Sequence, residues 1–272
     1  MINSGRSIVG FCDHYVTINW QGTVSADLIN FLCCDLQTCT SAITREVYNL
    51  SSSHSTPLFS LRKGKEQLYS GDCGYDLAYT LINEILYQCI VDNSVGQAIH
   101  AAAVGSEHGG ILIPGKSGSG KSTLTTWLAG HNCNYLTDEL VILSGTPSRI
   151  HPFTRPLSLK TESSSAISSL VDFSRQEVIA GSSGFMLPHR LINNQFIPAI
   201  PPLSLILFPE YVASSSSPVI SAMECYVNAR NMRGHGIGNL AELVRRTPIY
   251  QITYSSFDGL YEILTRAFPT LI

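Results

Sequence analysis

The residues with the clearest chemical meaning are eight consecutive positions, Gly115 to Ser122, that fit the phosphate-binding pattern G-x-x-x-x-G-K-[ST]. They follow the apolar run Ile111–Ile113 and precede Thr123–Ala129, a stretch compatible with a helix. Glycines adopt backbone angles at which a Cβ would clash, so successive amide N–H groups can curl around phosphates beside the helix N-terminus. The pattern therefore predicts a site for a nucleoside triphosphate.

Each residue type in this loop has a distinct expected role. Lys121 would supply a point charge to the phosphates, and the hydroxyl of Ser122 would face a magnesium ion. The alternative is a glycine-rich turn with a solvated lysine. The residues that we expect to contact ATP are Gly115, Lys116, Ser117, Gly118, Ser119, Gly120, Lys121, Ser122 and Thr123.

Two adjacent acids, Asp138 and Glu139, follow sixteen and seventeen residues after Ser122, so one helix and the next strand can return them toward the phosphates. Mg²⁺ that bridges phosphates needs a carboxylate near Ser122, and a second carboxylate can accept the proton of an attacking hydroxyl. Neighbouring strand residues point to opposite faces, so the two roles should differ, in an order that stays open. The alternative for either acid is a solvated residue at a strand end.

His100 stands fifteen positions before Gly115, within the small-residue stretch Ala98–Val104. A strand there could pair beside Ile111–Ile113. The register of that pairing would put His100 either near the phosphates or at the opposite edge. On such a strand, a histidine by itself is more typical of packing than of catalysis.

Apolar periodicity indicates alternating elements along the chain. Before the phosphate loop it predicts a strand at Tyr15–Ile18 and helices at Ser25–Leu36 and Tyr75–Val91. After it, the pattern predicts one or two strands over 134–143, mobile serine-rich loops, and a strand at 203–208. The tail predicts a helix over 237–246, a strand over 249–254 and a helix over 256–267.

With 272 residues, the chain is long enough for two lobes. We expect a small α+β lobe over residues 1–95 and a phosphate-loop domain over residues 96–272. The second domain should be of the α/β class with a mixed sheet.

Charge and hydropathy disfavour two classes of partner. The net charge of −3 and the scattered arginines provide no basic surface for nucleic acid. There is no leader-like start and no run of about eighteen apolar residues, so we expect a cytoplasmic protein that does not enter membranes.

Eight cysteines are few for a disulfide scaffold of this length, which favours reduced thiols that pack as small hydrophobes. Cys33, Cys34 and Cys39 are close together, which leaves a zinc site as an alternative. They lack a second C-x-x-C or paired histidines to complete it.

Taken in order and spacing, these residues resemble the catalytic domain of the bacterial HPr kinase/phosphorylase family, whose fold is related to phosphoenolpyruvate carboxykinase. The resemblance is firm over residues 98–143. Ile99–Val104 and Tyr135–Leu140 are more similar to the single-activity kinases of this group, found near peptide-modifying enzymes, than to the bifunctional enzymes. It implies that His100 is an active-site histidine and that Asp138 and Glu139 match paired aspartates, one of which accepts a proton.

The resemblance also indicates where this chain departs from the bifunctional enzymes. A glutamate-arginine-glycine signature and a later catalytic arginine are missing, so we do not expect phosphorylase activity. Lys160 is similar to a lysine of the related kinases and could supply transition-state charge, as could Arg149 or Arg155, with Arg230 and Arg233 as weaker candidates. Relatives are often oligomeric, which leaves a homo-oligomer open.

The expected activity is thus an ATP- and Mg²⁺-dependent kinase that acts on a serine-type hydroxyl of a protein or peptide. The catalytic set would be His100, Lys121, Asp138, Glu139 and Lys160, with Ser122, Asp138 and Glu139 as metal ligands. Two alternatives stay open. One is a small-molecule kinase or an enzyme similar to phosphoenolpyruvate carboxykinase, and the other is a regulatory protein that binds ATP without transferring phosphate.

Overall fold

A computed structural model describes residues 3–40, 43–91, 95–195, 197, 199–213, 217–223, 243 and 245–272. The elements up to residue 91 are β1 (Ser4–Phe11), β2 (His14–Gln21), α1 (Thr23–Cys33), β3 (Gln37–Thr38), β4 (Val47–Ser52), β5 (Phe59–Lys63), β6 (Glu66–Gly71) and α2 (Gly74–Ile90). The later ones are β7 (Gln97–Ser106), β8 (Gly109–Pro114), α3 (Lys121–Ala129), β9 (Asn134–Thr137), β10 (Leu140–Ser144), β11 (Arg149–Pro152), β12 (Leu157–Lys160), β13 (Ile179–Ala180), β14 (Gly184–Leu187), β15 (Leu203–Tyr211), β16 (Val219–Ala222), β17 (Ile249–Tyr254) and α4 (Leu260–Ala267). Together they form a mixed α/β protein.

The chain divides into two compact units. The first contains residues 1–94, 154–156 and 176–188, and the second contains residues 95–153, 157–175 and 189–272. The division at residue 95 that we predict from sequence is simpler than this, because two later segments belong to the first unit. No helix of the described residues is both long and apolar enough to cross a bilayer.

The first unit is built on a six-stranded sheet in the order β3-β1-β2-β4-β5-β6. Among the described strands of this sheet, β2 and β4 pair in parallel and the other neighbours pair antiparallel. Helices α1 and α2 bury apolar residues at helical spacing, so the predicted helices are confirmed to within a few residues. The predicted strand Tyr15–Ile18 lies inside β2.

The second unit is built on an eight-stranded mixed sheet in the order β11-β10-β7-β8-β15-β17-β16, with β9 also paired to β7. Strands β8, β15 and β17 are parallel, so their carboxyl ends meet at one edge. Strand β7 runs antiparallel to β8, β9 and β10. Central strand β7 is therefore paired with the strand that precedes the predicted phosphate loop and with the two strands on either side of Asp138 and Glu139.

Apolar side chains cover both faces of this sheet. Because side chains alternate along a strand, Ala101 and Ala103 of β7 face one layer and Ala102 and Val104 face the other. The second layer contains α3 and α4, through Leu124, Trp127, Leu128, Leu260 and Leu264. Three successive alanines at zero exposure let both layers approach the strand closely.

Two predictions near the serine-rich segment and the tail are wrong in detail. The serine-rich stretch Ser163–Ser169, predicted as a mobile loop, lies partly in two short 3-10 helices, Thr161–Ser163 and Ser165–Ile167, and the side chain of Ile167 is fully buried. The last helix begins at Leu260 rather than Ser256, after Gly259 in the left-handed conformation. Most of the helix predicted over 237–246, and both Arg230 and Arg233, lie outside the described residues.

None of the described cysteines forms a disulfide. They differ in burial, and therefore in the expected reactivity of their thiols. Burial raises the pKa of the Cys33, Cys89 and Cys133 thiols to about 12, whereas Cys34 is exposed. A thiol with a raised pKa has little thiolate at about pH 8 and reacts slowly.

We expect iodoacetamide at about pH 8 to modify Cys34 quickly and its neighbour Cys33 slowly, as followed by peptide mass spectrometry. In guanidinium the two cysteines should react alike, which makes unfolded protein the control. Equal rates for Cys33 and Cys34 in the native protein would contradict this account of burial.

Candidate functional site

The predicted phosphate loop connects the carboxyl end of β8 to the first turn of α3. All six residues of β8 are buried, and Pro114 ends the strand. Gly118 and Gly120 have φ angles of 83° and 94°, which L side chains rarely adopt. Gly120 is also the N-cap of α3, so the loop turns its backbone toward the end of the helix where amide N–H groups lack partners.

Lys121 is folded back over this loop. Its Nζ donates hydrogen bonds to the carbonyl oxygens of Gly115, at 2.9 Å, and Lys116, at 3.3 Å, and only 8% of the residue is exposed. The helix terminus alone would stabilise an anion by about 1 kcal/mol or less at a surface. A buried ammonium group beside the loop supplies a larger field than the helix dipole.

Ser119 provides a test of whether the loop fits an anionic ligand. Its hydroxyl is buried and, within the described part of the chain, lacks a hydrogen-bond partner. A Cβ built at Gly115 would come within 2.6 Å of that oxygen, so a side chain there would fill the loop. An unpartnered hydroxyl and the absence of side-chain bulk both fit a polar group such as a phosphate.

The register of β7 decides whether His100 lies beside the predicted phosphate loop or at the opposite edge of the sheet. Ala101 pairs with Pro114 of β8 on one side, and on the other its N–H donates to the carbonyl oxygen of Glu139 at 3.2 Å. His100 is therefore next to the start of the phosphate loop. Adjacent strands are about 4.8 Å apart, so the backbones of Glu139 and Pro114 lie about 10 Å from each other across β7.

Asp138 and Glu139 occupy a bend between β9 and β10 instead of consecutive strand positions. The hydroxyl of Thr137 accepts hydrogen bonds from the N–H groups of Glu139 and Leu140, which stabilises this bend. The expectation that the acids face opposite sides of a strand is therefore wrong. Their environments differ nevertheless.

Glu139 pairs with His100. The Nδ1 atom of His100 lies 3.1 Å from Oε1 of Glu139, and the two side chains are 43% and 35% exposed. With Nδ1 as the hydrogen-bond donor, the Nε2 atom of His100 keeps its lone pair. The pair is thus accessible from solvent.

Asp138 is only 2% exposed and is held from two directions. The Tyr135 hydroxyl donates to its Oδ1 at 3.0 Å, and the backbone N–H of Ser158 donates to its Oδ2 at 3.1 Å. Tyr135 is in turn stacked on His189, with ring centroids 5.1 Å apart. Packing and hydrogen bonds therefore position this carboxylate, which still has further lone pairs.

Strand β12 brings Lys160 to the same region. Lys160 is exposed and follows two residues after Ser158, which contacts Asp138. Three residues further, the Ser163 hydroxyl accepts a 3.1 Å hydrogen bond from Thr123 in the first turn of α3. Lys160 therefore lies on a segment that contacts both Asp138 and the loop helix.

Of the candidate arginines in the second unit, Arg149 lies away from this group. Arg149 pairs with Ser144 at the far end of β10, and its guanidinium donates to the carbonyl oxygen of Ile200. Arg155 is buried and belongs to the first unit.

Among the described residues, no group of three or more His, Cys, Asp or Glu side chains is arranged to hold a metal ion. The predicted set of Ser122, Asp138 and Glu139 contains two carboxylates and one hydroxyl. Mg²⁺ is commonly bound by one or two carboxylates together with substrate phosphates and water. This donor set fits that kind of site, in which the nucleotide supplies the remaining oxygens.

Sequence reasoning missed the residues that support the site from a distance. Tyr254, 2% exposed, lies at the end of β17, and its hydroxyl donates to the Gly120 carbonyl oxygen at 3.4 Å. Burial raises the pKa of Tyr254. The sequence places Tyr135 in a predicted strand. Nothing in the local sequence, however, indicates the hydrogen bonds that Tyr135 and the Ser158 amide donate to Asp138. The roles of the predicted site residues stay predictions.

Replacement of Gly120 by alanine should destabilise the protein more than replacement of Gly118. Both positions have positive φ, but a Cβ at Gly120 would be 2.4 Å from the Tyr254 hydroxyl, whereas a Cβ at Gly118 meets nothing within 4 Å. We expect losses of about 1 kcal/mol for Gly118→Ala and about 2–3 kcal/mol for Gly120→Ala in urea unfolding. Equal stability of the two variants would contradict this packing.

No model of a known protein family and no curated protein matches this chain. Among solved structures, it is similar to the Hpr(Ser) kinase/phosphatase from Coxiella burnetii, with a TM-score of 0.34 and 15% sequence identity. The alignment covers 64% of this chain and 96% of that one. A similarity of this extent does not assign the chain to a family.

Proposed function

We propose that this chain is an ATP-dependent phosphotransferase that transfers the γ-phosphoryl group to a serine-type hydroxyl of a protein or peptide. The observation that supports it most is that Ala101 pairs with Pro114 on one side and bonds to the Glu139 backbone on the other. A glycine-rich phosphate loop thereby begins beside an acid–histidine pair that solvent can reach. A protein that only senses nucleotide has no need of such a pair.

In this proposal the loop holds the nucleotide through its backbone. The amides between Gly115 and Gly120 and the ammonium group of Lys121 bind the β- and γ-phosphates. To do so, Lys121 exchanges its hydrogen bonds to the Gly115 and Lys116 carbonyl oxygens for phosphate oxygens. The unpartnered Ser119 hydroxyl gains an acceptor in the same step.

Ser122 and Asp138 are the residues that we propose to hold magnesium, with Glu139 as a further ligand through water. When bound, the ion neutralises charge that develops on the transferred phosphoryl group. Asp138 suits this role because Tyr135 and Ser158 hold its carboxylate in one orientation. Lys160 adds positive charge from β12.

The acceptor hydroxyl loses its proton to the Glu139–His100 pair as its oxygen attacks the γ-phosphorus. The bond between that phosphorus and the β–γ bridging oxygen breaks, and ADP leaves. Glu139 suits the role of proton acceptor better than Asp138, because its carboxylate is about one third exposed whereas Asp138 is nearly inaccessible. A general base needs to reach the hydroxyl within hydrogen-bonding distance.

Transfer from labelled ATP to peptides encoded by neighbouring genes tests the proposed activity. Wild-type protein should label at least one such peptide on a serine-type hydroxyl, and Lys121→Ala should lose both transfer and ATP binding. ATP binding with no transfer to any peptide would contradict the proposal and favour a sensor. Transfer to a small hydroxyl compound alone would favour the small-molecule kinase.

The Glu139–His100 pair should affect transfer far more than binding. We expect Glu139→Gln and His100→Gln each to lower the rate of phosphoryl transfer by about 100-fold or more, while the ATP dissociation constant changes by about threefold or less. Single-turnover kinetics and calorimetry measure the two quantities separately.

A second acid–histidine pair provides the matched control. His108 and Glu107 lie 3.4 Å apart at the β7–β8 turn, at the other end of the same strand. His108→Gln and Glu107→Gln should leave both transfer and binding unchanged. Equal effects at the two pairs, or unchanged transfer in Glu139→Gln, would refute the assigned role.

A further inference from the structure

The phosphate loop has two flanks in the sheet, and they differ in chemistry. Strand β8 lies between β7 on one side and β15 on the other. The β7 side carries His100 and the bend with Asp138 and Glu139. The β15 side carries two tyrosines, Tyr211 and Tyr254, which are register partners at the carboxyl ends of β15 and β17.

Both tyrosines project on the same face of the sheet as α3. Leu205 and Leu207 of β15 and Ile252 of β17 belong to the core layer that contains α3, and side chains alternate along each strand. Tyr211 and Tyr254 therefore share the face on which the loop enters its helix. A Cβ built at Gly120 would lie 3.8 Å from the Cβ of Tyr211.

The ring of Tyr254 is buried among its neighbours, whereas the ring of Tyr211 is half exposed. Tyr254 is 2% exposed, contacts the Gly120 carbonyl oxygen and stacks on Phe257 with ring centroids 5.6 Å apart. Tyr211 meets Tyr254 in an edge-on arrangement at 6.0 Å, yet 52% of it is exposed. A large aromatic ring thus rests on a rigid neighbour and presents an open surface directly beside the phosphate loop.

We propose that the ring of Tyr211 stacks on the nucleobase of the nucleoside triphosphate. This inference rests on the proposed function, which directs the terminal phosphate toward the acids on the β7 side. The nucleoside end must then leave the loop elsewhere, and the β15 side offers an aromatic surface. Stacking on a single ring accepts any nucleobase, since every base has a flat π-face.

Comparison of ATP with inorganic tripolyphosphate tests this site, because the second ligand has the phosphates but no base. By calorimetry, Tyr211→Ala should weaken ATP binding about tenfold or more and leave tripolyphosphate binding within about twofold of wild type. Tyr211→Phe, which keeps the ring, should bind ATP as wild type does. Tyr261→Ala is the matched control, since Tyr261 is a 42% exposed tyrosine on α4.

Each other outcome overturns the inference in a distinguishable way. Unchanged ATP binding in Tyr211→Ala, or equal weakening of both ligands, would refute base stacking while the phosphate site stands. If wild-type protein bound neither ATP nor tripolyphosphate, the proposed function would fail together with this inference.

Discussion

The register of β7 is the constraint on which the candidate site depends. Ala101 pairs with Pro114 on one side, and on the other its N–H donates to the carbonyl oxygen of Glu139. This one residue therefore aligns the end of β8 and the bend at Glu139 along β7. A shift by one position would turn His100 to the opposite face and into a different layer. The alternation of Ala101 and Ala103 with Ala102 and Val104 between two buried layers opposes that shift.

Buried contacts fix some groups of the candidate site, whereas Lys121 makes hydrogen bonds that a ligand can replace. Asp138 is held by Tyr135 and Ser158, and the loop is held through Gly120 by Tyr254. Lys121, in contrast, donates hydrogen bonds to the carbonyl oxygens of Gly115 and Lys116, which phosphate oxygens can replace as acceptors. Such a division between a fixed scaffold and exchangeable hydrogen bonds is what binding and transfer of a phosphoryl group require.

The sequence predicts part of the candidate site, namely the parts whose signals lie within a few consecutive residues. The apolar run before Gly115 and the helix-compatible run after Ser122 predict β8, the loop and α3, because each signal lies within a few residues. The sequence could not predict whether His100 lies beside the phosphate loop or at the opposite edge of the sheet, because strand register depends on pairing between separate segments. The bend at Asp138 was also not predicted, although the Thr137 hydroxyl that stabilises it is adjacent in the sequence. Contacts such as that of Tyr254 with Gly120 join residues far apart in the chain and leave no pattern.

The most direct test is a crystal structure of the protein with Mn²⁺ and a non-hydrolysable ATP analogue, with the metal located by anomalous scattering. We expect a manganese peak at about 2.1 Å from the Ser122 hydroxyl, with a carboxylate oxygen of Asp138 or Glu139 as a ligand directly or through one water. A metal held by the phosphates while both acids lie beyond the reach of a bridging water would contradict it. In that case the loop would bind nucleotide without the machinery to transfer its phosphate.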